Sequence, residues 1–357
     1  MTMLVNLSTL GARPTGLGIY SARCASAIGS TFDADVVAPI SFQGRLRVAA
    51  HSPHGITLGA GRAAALKRMA WAARFGAMAK SYDLVYSPTH HGLGPADRQI
   101  LTVHDLIALR FASQHPQQYI YFKHVLPSRL ARCRAVFTVS NATRADLQER
   151  YGLPADKIKI VPNGVDRTLF KPPTLDQREK FLLVVGAAFY HKNVHEVIQN
   201  YRLWSNEYFL VIASARGKYR AYLESLVREY SLADKVKFID YLPLKDLISL
   251  YQRCTAFVYP SKWEGFGIPP LEALACGAKV IASDIPALRE VLGESATFVE
   301  LGRAESWKAA FDALGGSGGS EAPETEKTLQ RHSWARSGEL LAQALSEIEP
   351  GLPRRCA

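Results

Sequence analysis

One pattern runs through this chain twice: short apolar runs, each followed by a longer stretch with helical periodicity. In the first half the runs are 3–7, 35–40, 83–87, 100–104, 135–139 and 158–162; in the second they are 181–186, 209–213, 236–239, 256–259, 279–282 and 297–299. Strands that alternate with helices form parallel sheets, because a parallel neighbour is reached only by a crossover and the crossover is normally a helix. The expected fold class is α/β, with two doubly wound, Rossmann-like domains. A length of 357 residues agrees, being long for one core and natural for two. Between the two rounds, Val161-Pro-Asn-Gly-Val-Asp166 and Lys171-Pro-Pro-Thr174 interrupt the periodicity with turn chemistry. The expected domains are therefore 1–165 and 166–332, with a last helix and tail in 333–357 and a flexible loop at Gly315 to Ser320 before them. Open parallel sheets bind ligands at the carboxyl ends of their strands, so two such domains are expected to face a central cleft.

Hydrophobic residues make up 48% of the chain, yet no apolar run approaches the 18 or so residues of a membrane span. Met1 to Leu7 enters the first apolar run without a basic stretch, which predicts no signal peptide and a cytoplasmic protein. Cys24, Cys133, Cys254, Cys276 and Cys356 lack metal-ligand or paired spacing, and His90, His91 and His115 lack carboxylate or cysteine companions, so no metal site is expected. A formal net charge of +11 favours polyanionic partners. No helix-turn-helix, RNP or zinc-finger pattern occurs, which makes nucleic acid the weakest of these and leaves phosphorylated ligands or an anionic membrane surface.

The densest local signal is Glu264-Gly-Phe-Gly-Ile-Pro-Pro-Leu-Glu272, directly after the run 256–259. Pro269 and Pro270 suit a first helical turn and Gly277 suits its stop. The order is strand, glycine bend, short helix. Gly265 and Gly267 let the main chain come close to a ligand, and the helix start aims N–H groups and the positive end of its dipole at one point, as phosphate binding requires. Glu264 and Glu272 are acceptors for hydroxyl groups on either side. Ribose, diphosphate and hexose of a nucleotide sugar match that layout.

With these residues the chain resembles the retaining glycosyltransferases of family 4, whose signature is a Glu, seven residues and a second Glu, and which share the two-domain GT-B fold with a terminal helix crossing back to the first domain. The resemblance implies hexosyl transfer from a nucleoside diphosphate sugar to an acceptor hydroxyl, with retention and without a metal or other cofactor. It implies that Glu264 orients the sugar, that Glu272 grips the ribose, and that the backbone at Gly265, Phe266, Gly267 and Ile268 meets the diphosphate. Gly16-Leu-Gly18 is similar to the family's glycine-rich first loop, and His104-Asp105 to the pair whose His meets the donor sugar. Asp105 reads equally as an acceptor-side or a helix-capping residue. After Gly186, many members carry an Arg and, further on, a Lys on the diphosphate; here Ala187 stands in the Arg position, Lys192 is present, and His191 precedes it. Asn141 fits either the cleft or an N-cap, and Asp240-Tyr-Leu-Pro243 either the nucleobase or a plain turn.

Residues 61 to 79 mix Arg62, Lys67, Arg68 and Arg74 with Trp71, Phe75, Met69 and Met78 among alanines. On a helical wheel Lys67, Arg68, Trp71, Arg74 and Phe75 share an arc opposite Leu66, Ala70, Ala73 and Ala77. If the small residues pack inward, that arc contacts an anionic membrane; if the aromatics turn inward, the cations snorkel. Thr102 to Leu106, the insert 111–129 and His191-Lys-Asn193 look most like bacterial mannosyltransferases that use GDP-mannose for surface polysaccharides. The expected partners are a nucleotide sugar and a glycan acceptor, free or linked to polyprenyl diphosphate. A UDP-hexose donor or a catalytically silent sugar-nucleotide-binding subunit are the alternatives.

Overall fold

A computed structural model describes every residue except 12–14, 54, 55, 57–60, 176, 177, 241, 316–321, 356 and 357, together with the side chains of 61, 62, 64, 65 and 322 excepted. Arg62, Tyr241, Cys356, part of the turn before Gly16 and most of the expected loop from Gly315 to Ser320 lie outside the described residues. The chain divides into two compact units, Met1–Asn163 with Trp334–Ala357, and Gly164–Ser333. The divisions thus fall after 163 and 333, within the Pro-Asn-Gly turn and at the start of the last helix, against the expected 165 and 332.

The first unit holds strands β1 (Met3–Asn6), β2 (Asp35–Pro39), β3 (Arg47–Ser52), β4 (Leu84–Ser87), β5 (Gln99–Val103), β6 (Ala135–Thr138) and β7 (Ile158–Ile160), in the order β3-β2-β1-β4-β5-β6-β7. The second holds β8 (Glu179–Val185), β9 (Phe209–Ala213), β10 (Val236–Ile239), β11 (Cys254–Tyr259), β12 (Lys279–Ser283) and β13 (Thr297–Val299), in the order β10-β9-β8-β11-β12-β13. Every pairing is parallel, for example Leu4 beside Asp35 on one side and Val85 on the other. In each sheet the chain starts in the middle, steps outward, then returns to the other side of its first strand. The order therefore reverses between β1 and β4, and again between β8 and β11, and such switch points open a crevice at the strand ends.

Strands covered on both faces must be apolar throughout, and these are: Leu4, Val85, Leu101 and Phe137 in one sheet, and Leu182, Leu210, Phe257 and Ile281 in the other, are at most 1% exposed. Each such side chain contributes about 1.5–3 kcal/mol by leaving water. The edge strands and the start of β8 are more polar and more exposed, β3 most of all, and β3 was not expected. It is an edge strand with mostly exposed residues, held to its neighbour by the two-pronged Arg47–Asp35 pair.

The last helix, Trp334–Ile348, belongs to the first unit, where Ser337, Leu341, Ala344 and Leu345 are buried. Gly338 allows its approach to the Gly16–Thr31 helix: a Cβ there would stand 3.1 Å from that of Ala27. Ser337 Oγ also donates to the Pro162 carbonyl at 2.6 Å.

The Gly61–Ala79 helix corrects the outward face drawn on the wheel. Trp71 is 7% exposed, stacks on Phe75 at 4.8 Å and joins Leu4, Val37, Val85 and Leu93 in one core cluster, while Leu66 and Met69 are 68% and 69% exposed. Burying two aromatic rings outweighs burying alanines, so the aromatics turn inward. Arg68 is half-buried with them and donates to the Ile56 carbonyl at 3.1 Å, whereas Lys67 and Arg74 face out.

Candidate active site at the two switch points

In the second unit the chain leaves β8 through Gly186, whose φ of 84° lies in the left-handed region. Ala187 then enters the core fully buried. The position at which the resemblance led to the expectation of a cation therefore faces apolar side chains here. A turn at Tyr190–Lys192 follows, in which His191 is 3% exposed with its ring against Phe189 at 5.7 Å, and its carbonyl accepts from the Lys262 N–H. The turn ends at Asn193, also left-handed, and delivers Lys192 into the crevice beside β11.

The chain leaves β11 after Tyr259 and runs through the glycine bend into the Ile268–Ala275 helix. Glu264, 8% exposed, meets Lys192 there: Nζ stands 2.6 Å from Oε1. Tyr259, which the sequence reading left out, completes the group with its hydroxyl 3.3 Å from Nζ and its ring 5.4 Å beneath it. Burial works against both charges, but each outweighs it for the other: the Lys192 ammonium is held well above its usual range and the Glu264 carboxyl below its own. Both stay ionised. Seventy-two residues apart in sequence, they meet because β8 and β11 are neighbours.

Gly267 caps the helix with φ 102°, and a Cβ there would lie 2.6 Å from Leu288 Cδ2, so both conformation and space demand glycine. Phe266 is buried, edge-on to His332 at 5.3 Å, which leaves the backbone at Gly265, Phe266 and Ile268 as the part able to meet a ligand. Glu272 stands apart from the ion pair. Burial pushes its carboxyl up to about 7 against the lowering effect of the Tyr251 hydroxyl, which donates to Oε2 at 3.1 Å.

In the first unit Thr15 caps the Gly16–Thr31 helix by accepting from the Gly18 N–H at 3.1 Å. Gly16 and Gly18 thus form the helix's first turn rather than a loop ahead of it. His104 follows β5 with its ring edge-on to Tyr20 at 4.6 Å, and Nε2 is 2.9 Å from the Pro88 carbonyl. A carbonyl only accepts, so Nε2 carries the proton; burial lowers the ring's pKa to about 4 despite that bond, which leaves Nδ1 as an acceptor. Asp105 Oδ1 accepts from the Ile107 N–H at 3.0 Å, while the N-cap position of the short Ile107–Arg110 helix is Leu106. Asn141 is not the N-cap of the Asn141–Tyr151 helix. Ser140 is, because its Oγ accepts from the Thr143 N–H at 3.1 Å, and Asn141 is left exposed in the first turn.

Two family profiles match along the chain: "Glycosyltransferase Family 4" over residues 16–169 and "Glycosyl transferases group 1" over residues 165–319. The O-antigen chain mannosyltransferase RfbU of Salmonella typhimurium is 33% identical over 320 residues, 87% of this chain and 90% of that protein. This chain belongs to glycosyltransferase family 4. O-antigen chain mannosyltransferase B of Escherichia coli is 29% identical over 248 residues, 64% of this chain and 63% of that one. Sucrose-phosphate synthase from Thermosynechococcus elongatus, at 18% identity, superimposes with a TM-score of 0.80 over 98% of this chain and 99% of its own. The glycosyltransferase thus has the two-domain GT-B fold. Among its described residues no helix is long and apolar enough to cross a membrane.

Proposed function

We propose that this enzyme transfers mannose, with retention, from GDP-mannose to a hydroxyl of a lipid-linked glycan in lipopolysaccharide or exopolysaccharide synthesis. The observation that carries the reading is the buried Lys192–Glu264 pair at the switch point of the second sheet, in a chain 33% identical to an O-antigen mannosyltransferase. Lys192 neutralises the departing diphosphate together with the N–H groups of the bend from Gly265 to Ile268, Pro269 and Pro270 having none, donors already in place before charge develops. With Ala187 turned into the core, these carry what an Arg would share. Glu264 accepts from the mannose hydroxyls, His104 Nδ1 accepts from another, and Glu272 accepts from the ribose. The bond from the anomeric carbon to phosphate oxygen breaks and that to the acceptor oxygen forms on the same face; the acceptor's proton leaves with the diphosphate. The exposed Leu66 and Met69, flanked by Lys67 and Arg74, would rest the enzyme on an anionic membrane surface.

Turnover is to be measured with GDP-mannose, UDP-glucose and UDP-GlcNAc on membrane-extracted lipid-linked glycans, with the product anomer read by NMR. Selective use of GDP-mannose with an α product is expected. Preference for a UDP-sugar sinks the donor assignment, and binding without transfer sinks the enzymatic one. Glu264→Ala and Lys192→Ala should each lower kcat by at least about a hundredfold, as removal of a single preorganised transition-state contact does. Each should also cost about 3 kcal/mol of stability, because the partner is left as an uncompensated buried charge. A Tm series including the double variant separates the two effects. Wild-type turnover in Glu264→Ala would remove Glu264 from the mechanism.

A further inference from the structure

The first sheet has its own switch point, between β1 and β4, and the residues that follow β4 there are not absorbed by the donor site. They are His90 and His91, whose rings lie 4.2 Å apart. Tyr121 stands 5.7 Å from His90 and 5.3 Å from His91, its hydroxyl donating to the His90 carbonyl at 3.1 Å, and Phe122 closes the far side of His90 at 4.8 Å. The His91 carbonyl is tied to β1 by Asn6 Nδ2 at 3.0 Å. His90 is 5% exposed, yet its Nε2 finds no hydrogen-bond partner among the described residues. A buried ring nitrogen left so is destabilising unless something else meets it.

Two guanidiniums act on this group through their charge. Arg68 comes from the Gly61–Ala79 helix, fixed by its bond to Ile56, and Arg129 from the Leu126–Arg132 helix. Arg129 is half-buried and forms no ion pair among the described residues. Burial dominates in holding the two histidines neutral, and the positive charge of the arginines adds to it: Arg68 acts on His90, whose pKa falls to about 3, and Arg68 and Arg129 act on His91. Burial raises the Tyr121 phenol, and the same two arginines oppose it. The crevice therefore combines positive potential with neutral N–H donors. Forked guanidiniums plus such donors match a tetrahedral anion that offers several oxygens.

We propose that this crevice binds a phosphate group of the acceptor, gripped by Arg129 and Arg68 and met by His90 and His91. The acceptor is then a phosphorylated glycan, its phosphate lying beside His104 and so near the reacting hydroxyl. This rests on the glycosyl-transfer reading but is tested without turnover. Calorimetry without donor compares an alkyl α-mannosyl diphosphate, the unphosphorylated alkyl α-mannoside and inorganic phosphate. The wild type is expected to prefer the diphosphate over the mannoside by at least about tenfold, and Arg129→Gln to abolish that preference while Arg129→Lys retains part of it. Thermal melting confirms that each variant folds. Equal affinity of the wild type for the two glycosides overturns the proposal. So does a preference lost in Lys192→Gln but kept in Arg129→Gln, which would place the phosphate in the donor site. Inorganic phosphate binding as tightly as the glycosyl diphosphate would mark a site for free phosphate and overturn the acceptor assignment. Failure of donor turnover with this preference intact would count against the mannosyl-transfer reading alone.

Discussion

Glu272 and Glu264 are eight positions apart on one turn and answer burial in opposite ways. Glu264 has an ammonium at 2.6 Å and keeps its charge; Glu272 has only the Tyr251 hydroxyl, and its carboxyl titrates at about 7. A carboxyl raised in the folded state contributes stability that is fully present below its unfolded pKa, near 4.5, and is lost as pH climbs to about 7. Thermal melting should therefore show a decrease over that window which Glu272→Gln removes. Ligand binding should run the other way. A ribose that donates to Glu272 selects the carboxylate, so nucleotide affinity should rise about tenfold from pH 6 to pH 8, with release of a proton seen as a buffer-dependent heat. A pH-independent affinity would separate Glu272 from the ribose.

At the scale of single elements, the glycines assigned to the donor site divide by what surrounds them. Gly267 at φ 102° has no room for a Cβ, whereas Gly18 sits in a helical turn where a Cβ would lie 3.3 Å from Thr15 Oγ1 and 3.5 Å from Leu10. Gly267→Ala should cost about 2–3 kcal/mol from backbone strain and overpacking, together with donor binding. Gly18→Ala should stay within about 1 kcal/mol, because helix propensity offsets the tight contact. Denaturant melts of both variants make the comparison; equal losses would mean that glycine at 18 serves the backbone as it does at 267. Both glycines were visible in the sequence as parts of turn-to-helix signals. Their different necessity was not, since Leu288, which excludes a Cβ at Gly267, comes from another element.

For the whole molecule, the last helix ends the chain's second round and packs in the unit of the first. Removing residues 334–357 would uncover Leu341 and Leu345 contacts and strip Tyr20 of its neighbour Trp334, 6.4 Å away, while leaving the second unit's strands intact. Hydrogen exchange on the truncated chain should show loss of protection in β1, β2 and the Gly16–Thr31 helix, with β8 to β12 unchanged. Loss spread equally over both units would contradict the division at 333.

Periodicity alone specified two parallel α/β sheets, because an apolar run that must be buried on both faces has few other places to go. Turn chemistry put a boundary at 165, where the compact units divide after 163, and the spacing of Glu264 and Glu272 identified the family. Periodicity could not orient the Gly61–Ala79 helix, where a mixed composition permits two faces and only the neighbouring core, Leu4, Val37 and Val85, selects the aromatic one. Nor could it find β3, whose exposed edge residues carry no apolar signal. Which groups meet across a crevice depends on strand order, a long-range property. Lys192 joins Glu264 and Tyr259 because β8 neighbours β11, and His90 and His91 come to the first sheet's switch point because β4 neighbours β1. Local residue chemistry wrote the elements; the order in which the sheets assemble them made the sites.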